Sequence, residues 1–132
     1  IYRHITQSAG PQRVSLITDA MAATGMSDGF YALGPLGVQV VSRVARVAGT
    51  ETIAGSTATM DHVFRFAVTH SGLERDAALQ AAVAQSSVNP ARALGLPDAR
   101  LLPGTSADLV VLDTQLTVAG VLHRGVWVVG PV

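Results

Sequence analysis

At 132 residues the chain has the size of one modest domain, long enough to bury a real core. Hydrophobic residues make up 48% of it and charged residues 14%, yet no run approaches the roughly 20 apolar residues of a membrane span. Nine acidic residues balance nine basic ones, all arginine and scattered from Arg3 to Arg124, so no basic stripe supports nucleic-acid binding. The lack of cysteine excludes a disulfide framework and a thiolate metal site, and suits a reducing cytoplasm. The chain opens on Ile1 without a methionine or a signal-peptide pattern, as an excised or processed piece of something longer does.

The first clear element is "RVSLITDA" (13–20), a short apolar run with a β-branched centre, which predicts a strand buried on both faces. Residues 21–37 hold four glycines and a proline and read as loop, with a turn at Ser27-Asp28-Gly29. "VQVVSRVARV" (38–47) alternates on either side of Ser42-Arg43 and predicts a surface hairpin. From Ser56 the period changes: Met60, Val63, Phe64, Ala67 and Val68 fall on one face of a helix, capped by Ser56 or Thr57 and ended by Ser71-Gly72. A second helix is predicted over Glu74 to Gln85. Asn89-Pro90 then predicts a third, asparagine as cap and proline in the first turn, stopped by Gly95. Three strands follow, "ADLVVLD" (107–113), "VAGVLH" (118–123) and "GVWVVG" (125–130), with a tight turn at Arg124-Gly125 and Trp127 in the core. Helices between a single strand and an antiparallel group predict the end of an α/β domain, 1–106, joined to part of a small β domain, 107–132.

Three places can carry chemistry. Asp19 puts a carboxylate at the C-terminal end of a buried strand, where barrel enzymes place catalytic groups and where it can take and return a proton. The plain alternative is that it caps the "MAATG" turn. "TIAGST" (52–57) sets Ala54-Gly55 before a hydroxyl pair at a helix start, so backbone N–H groups there can meet a ligand carbonyl or anion; ordinary capping explains the same residues. His4, His62, His70 and His123 show no metal-ligand spacing. Arg92 in "NPARALGL" pairs with a carboxylate or reaches solvent.

"LITDAMAATGMSDGFYALG", "TIAGSTATMDHVFRFAV", "NPARALGL" and "LLPGTSADLVVLD" follow one another as they do in one family. Over residues 13–130 the chain resembles the C-terminal third of the N-acetylglucosamine-6-phosphate deacetylase family of the amidohydrolase superfamily. The "TDAMAATG" and "AGST" blocks are specific to that family; "PGTSADLVVLD" recurs across the superfamily. Ala99-Arg100 departs from the glycine the superfamily often has before "LLPG".

The resemblance implies a fragment of a (β/α)8 TIM barrel, with residues 14–18 as its eighth strand, plus part of a small β-sandwich domain. It implies Asp19 as general acid/base and the backbone of Ile53, Ala54 and Gly55 as lining of the sugar-phosphate site. Metal-activated hydroxide would attack the acetamide, giving glucosamine-6-phosphate and acetate. The metal is a divalent ion, zinc in the first instance, and its ligands, a glutamate and two histidines, lie on strands outside this chain; Asp19 stands beside it. The implied partners are the amino-sugar phosphate and a second copy in a homodimer, or the missing N-terminal part, with no nucleic acid and no membrane, in the cytoplasm. The 132 residues alone are then expected to be inactive. Another amidohydrolase acting on a different N-acetyl sugar, and a non-catalytic oligomerisation or sugar-phosphate-binding remnant, are the competing readings.

Overall fold

Pairing, more than hydropathy, decides which apolar runs become strands. In the computed structural model, which describes residues 1–97 and 101–130, two three-stranded antiparallel sheets form, in the orders β1-β2-β3 and β4-β5-β6. Both join neighbours in sequence through short turns. The chain is thus an α/β protein with two small antiparallel sheets. It clusters into two compact units, residues 16–66 and residues 1–15 with 67–132.

Within 16–66, β1 (Gly29–Leu33), β2 (Leu36–Val41) and β3 (Val44–Val47) form a meander. The hairpin expected over 38–47 is present, with Ser42 and Arg43 as its two-residue turn. The stretch 21–37, expected as loop, instead supplies all of β1 and the start of β2, because Gly34 at φ 57 reverses the chain and lets Leu33 face Leu36. One face of the meander carries Val38, Val40 and Ala45, which pack with Met21, Ala23 and Ala54 into a single buried cluster. Alternation along β2 and β3 gives that cluster its sheet side, and the small alanines let the loops lie close.

The run at 14–18 is not part of a strand ladder: of this region only Ala20 is paired, in an isolated parallel bridge to Ser56. Nor is it buried on both faces, since Ile17 is 76% exposed. A strand is defined by its neighbours, and the described residues offer it none.

α2 (Met60–His70) has the predicted apolar face, with Ala67 and Val68 buried. It begins later than Ser56 and Thr57, whose hydroxyls are used elsewhere. Asp61 lies in its first turn; the Thr59 hydroxyl, and then Arg65 at 2.8 Å, outweigh its burial and hold the carboxyl below its ordinary range. His62 and His70 are both exposed. The helix stops at Ser71-Gly72 as expected: the Ser71 hydroxyl donates to Val68 and accepts from the Leu73 amide, and Gly72 takes φ 73.

The two further helices expected, with a fresh start at Asn89, are one continuous run: α3 (Arg75–Val83), a π-turn (Ala84–Val88) and α4 (Asn89–Ala93). Asn89 has helical φ −67 and ψ −45, so it is not a cap. Proline at 90 cannot donate and crowds the preceding turn; widening that turn keeps the helix going. The side chains freed by this geometry anchor α1 (Tyr2–Ala9), a helix the sequence pattern did not announce. Tyr2 donates to Gln85 Oε1 at 2.6 Å, and fully buried Gln85 donates to Thr6. Asn89 Nδ2 donates to the carbonyls of Pro11 and Val14, at 2.9 and 2.6 Å. Arg92 is exposed.

β4 (Leu109–Leu112), β5 (Val118–His123) and β6 (Val126–Val129) are the three strands expected. Arg124 and Gly125 turn with φ 49 and 78. Trp127 is 48% exposed and not in a core, because β6 is an edge strand exposed along its whole length. Asp108 fastens the sheet's base, accepting from Ser106 Oγ, the Arg124 amide and His123 Nδ1. Those bonds, Ser106 first, hold its carboxyl below the ordinary range. Ala99-Arg100 lies outside the described residues. No helix among the described residues is long and apolar enough to cross a membrane.

Candidate functional site

The two sequence blocks singled out for chemistry, Asp19 and Ile53-Ala54-Gly55, meet in the 16–66 unit. The join is a short backbone ladder: Ser56 N donates to Asp19 O at 2.8 Å, and Met21 N donates to Ser56 O at 3.0 Å. On its other side the same segment is tied to β3, where Ala54 N donates to Ala45 O and Ile53 bridges Arg46. Ile53–Ser56 is therefore a bridge between the meander and the Asp19 turn.

Gly55 is required at the join. Its φ is +76, and a Cβ there would stand 3.1 Å from the Asp19 carbonyl oxygen and 3.3 Å from Met21 Cβ. A side chain there would have to push both neighbours back by a few tenths of an ångström while holding a positive φ, which glycine avoids.

Asp19 itself sits at φ 52, the left-handed region that aspartate tolerates better than most residues but still at a cost. The turn-capping alternative does not hold: Met21 N donates to Ser56 O, and the Asp19 carboxylate accepts from no amide of the turn. Among the described residues the Asp19 carboxylate is exposed and has no hydrogen bond or ion pair.

Beside Gly55 lies an open groove of about 330 Å³, lined by Arg43–Ala45, Gly55–Ala58 and His62. Ile53 is 59% exposed and Ala54 buried, so this bridge presents one side chain outward and hides the next. Among the described residues no three His, Asp or Glu side chains come together as a metal site. The joint between Asp19 and Gly55 had only a weak sequence signal, the hydroxyl pair after "AG"; Asp28 was read only as part of a turn and Thr57 only as a helix cap, with nothing to say that they hold the neighbouring hairpin.

No protein-family model matches the chain. It is 40% identical to human N-acetylglucosamine-6-phosphate deacetylase over 127 residues, covering 93% of this chain and 30% of that protein. It is 39% identical to a putative N-acetylgalactosamine-6-phosphate deacetylase of Escherichia coli K12 over 116 residues, covering 86% of this chain and 66% of that one. The N-acetyl-D-glucosamine-6-phosphate deacetylase of Mycobacterium smegmatis, solved as an aspartate-to-alanine mutant in complex with N-acetyl-D-glucosamine-6-phosphate, superposes with a TM-score of 0.95 at 68% identity, over 98% of this chain and 34% of that one. The Thermotoga maritima N-acetylglucosamine-6-phosphate deacetylase gives 0.85 at 30% identity, over 96% and 34%. The chain spans about 30% of the length of the first curated relatives it matches. By sequence and by fold it is homologous to the C-terminal third of the N-acetylglucosamine-6-phosphate deacetylases.

Proposed function

We propose that this chain works as the C-terminal part of a metal-dependent hydrolase that removes acetyl from N-acetylglucosamine-6-phosphate. Asp19 is its general acid/base, and the Ile53–Gly55 backbone lines the sugar-phosphate site. The observation that carries this reading is the unengaged Asp19 carboxylate, held in a left-handed turn by the backbone join to Ser56, one residue from Gly55. Asp19 takes a proton from the water that attacks the acetamide carbon. As the C–N bond breaks it returns that proton to the leaving nitrogen, so the products are glucosamine-6-phosphate and acetate.

The described residues do not bring together a ligand set for the ion. The divalent metal, zinc by family resemblance, is assigned to residues outside this chain. Residues 1–106 are inferred to be the end of a (β/α)8 barrel in which 14–18 pair with strands from outside the chain, and 107–132 part of a small β-sandwich. That reading also accounts for the unpaired run at 14–18 and the exposed β6. A homodimer in the cytoplasm completes it.

The test is a chimera in which this chain replaces the matching third of the Mycobacterium smegmatis enzyme, to which it is 68% identical. The chimera is expected to release glucosamine-6-phosphate, and Asp19→Asn to remove nearly all of that activity. Equal turnover by the Asp19→Asn chimera would overturn the assignment. Because two Escherichia coli relatives carry the N-acetylgalactosamine-6-phosphate name at 39% identity, both sugar phosphates are assayed; faster turnover of the galactosamine substrate favours that second reading.

A further inference from the structure

The β2–β3 turn is an unusual one. A two-residue turn with both residues at positive φ favours Asn-Gly, yet here Ser42 and Arg43 adopt φ 51 and 63. Two consecutive left-handed residues with side chains persist only where their surroundings over-determine them. Those surroundings are two distant side chains. Asp28 accepts from both turn amides, Ser42 N at 2.5 Å on Oδ2 and Arg43 N at 3.1 Å on Oδ1. From the other side the Thr57 hydroxyl donates to Arg43 O at 2.6 Å.

The turn leads directly into β3, and β3 is what holds the bridge. Val47 N donates to Thr52 O, Arg46 bridges Ile53, and Ala54 N donates to Ala45 O, in step along the strand. Two residues past Gly55, Thr57 closes the circuit back to the turn. Displacing the turn would shift Ile53–Gly55 relative to Asp19, because the bridge is bonded to both.

We propose that Asp28 and Thr57 are positioning residues, which clamp the Ser42–Arg43 turn from opposite sides and so fix the Ile53–Gly55 backbone beside Asp19. This rests on the reading of Ile53–Gly55 as substrate lining. Neither side chain touches the substrate in this account; both act through β3. Asp28 also explains why a sequence as unsuited as Ser-Arg is accepted at the turn.

The test uses the chimera described above. Thr57→Val keeps the shape and removes the donor; it is expected to raise KM for N-acetylglucosamine-6-phosphate about fivefold, the worth of one ordinary hydrogen bond, with kcat within about twofold. Thr57→Ser, which keeps the hydroxyl, is expected to restore KM. Asp28→Asn is expected to raise KM as well, and Ser42→Asn with Arg43→Gly, which suits the turn locally, to bring it back. A purely structural role lowers the melting temperature of Thr57→Val and leaves KM unchanged, and that result overturns the proposal. The two readings fail differently: a chimera with Thr57 intact and no measurable substrate affinity overturns the lining assignment, whereas equal affinity with and without the Thr57 hydroxyl overturns the clamp alone.

Discussion

The unit at 16–66 and the C-terminal sheet at 109–129 each hold a three-stranded antiparallel meander, yet they are held in different ways. In the first, side chains and loops join positions far apart in sequence: Asp28 to Ser42, Thr24 to Ser56, Thr57 to Arg43, over a continuous buried cluster. In the second the side-chain joints are made by exposed aspartates. Asp113 Oδ1 accepts from Gln115 and Thr117 within its own turn, and Asp108 gathers the base, while Val126 to Val129 remain exposed. The difference teaches where precision is located. The C-terminal sheet is tied by exposed bonds, whereas the Asp19–Gly55 join rests on non-local bonds made beside a buried cluster.

The largest expected effect tests the proposed role of the carboxylate that this join carries. Asp19→Asn keeps the left-handed turn and removes the base, so kcat of the chimera is expected to fall by about 10²–10⁴, the usual worth of a general acid/base. Unchanged melting temperature alongside that loss locates the effect in chemistry.

Next comes the packing of the other unit. Asn89 is 7% exposed and satisfies two part-buried carbonyls, so Asn89→Leu removes the donor from both. A loss of about 2–3 kcal/mol is expected in urea denaturation of the chimera; a loss under 0.5 kcal/mol would show that those carbonyls find other donors.

Gly55→Ala is smaller in energy but aimed at the site. The added Cβ meets the Asp19 carbonyl and lies on a positive φ, so about 1–2 kcal/mol is expected by the same measurement, with a rise in KM. The matched control is Gly104→Ala, at φ +87 but with nothing within 4 Å, which carries the backbone strain without the collision.

The weakest effect separates the two sheets by pH. The Asp108 carboxyl is held below its ordinary value of 3.8 in the folded state, so between those two values the unfolded chain binds more protons. Its contribution is complete above the unfolded value and disappears as pH falls through the folded one. Urea midpoints compared between pH 6 and pH 2 are expected to drop less for Asp108→Asn than for the unmodified protein, and Asp28→Asn, whose partners lie in the other meander, serves as the reference.

Much of this was legible in the residues. Alternation around Ser42-Arg43 and Arg124-Gly125 gave both hairpins, and the apolar period gave α2, because these signals are local. Asp19 and Gly55 were visible as unusual residues, though not as neighbours. Three misreadings share one cause. Glycines made β1 look like loop, Asn89-Pro90 looked like a helix start, and Trp127 looked like core; each was settled by a neighbour that the local pattern does not contain.

By itself, then, the sequence determined the class of the chain, its hairpins, its helical faces, and the residue types able to move a proton or admit a close backbone approach. Those follow from composition, period and the conformational range of single residues. Only the tertiary structure decided that Ser56 pairs with Asp19 across 37 positions, that Asp28 and Thr57 hold one turn from two sides, and that 14–18 remain unpaired. Hydrogen bonds between distant segments depend on the place of both ends at once, and no window of sequence holds both.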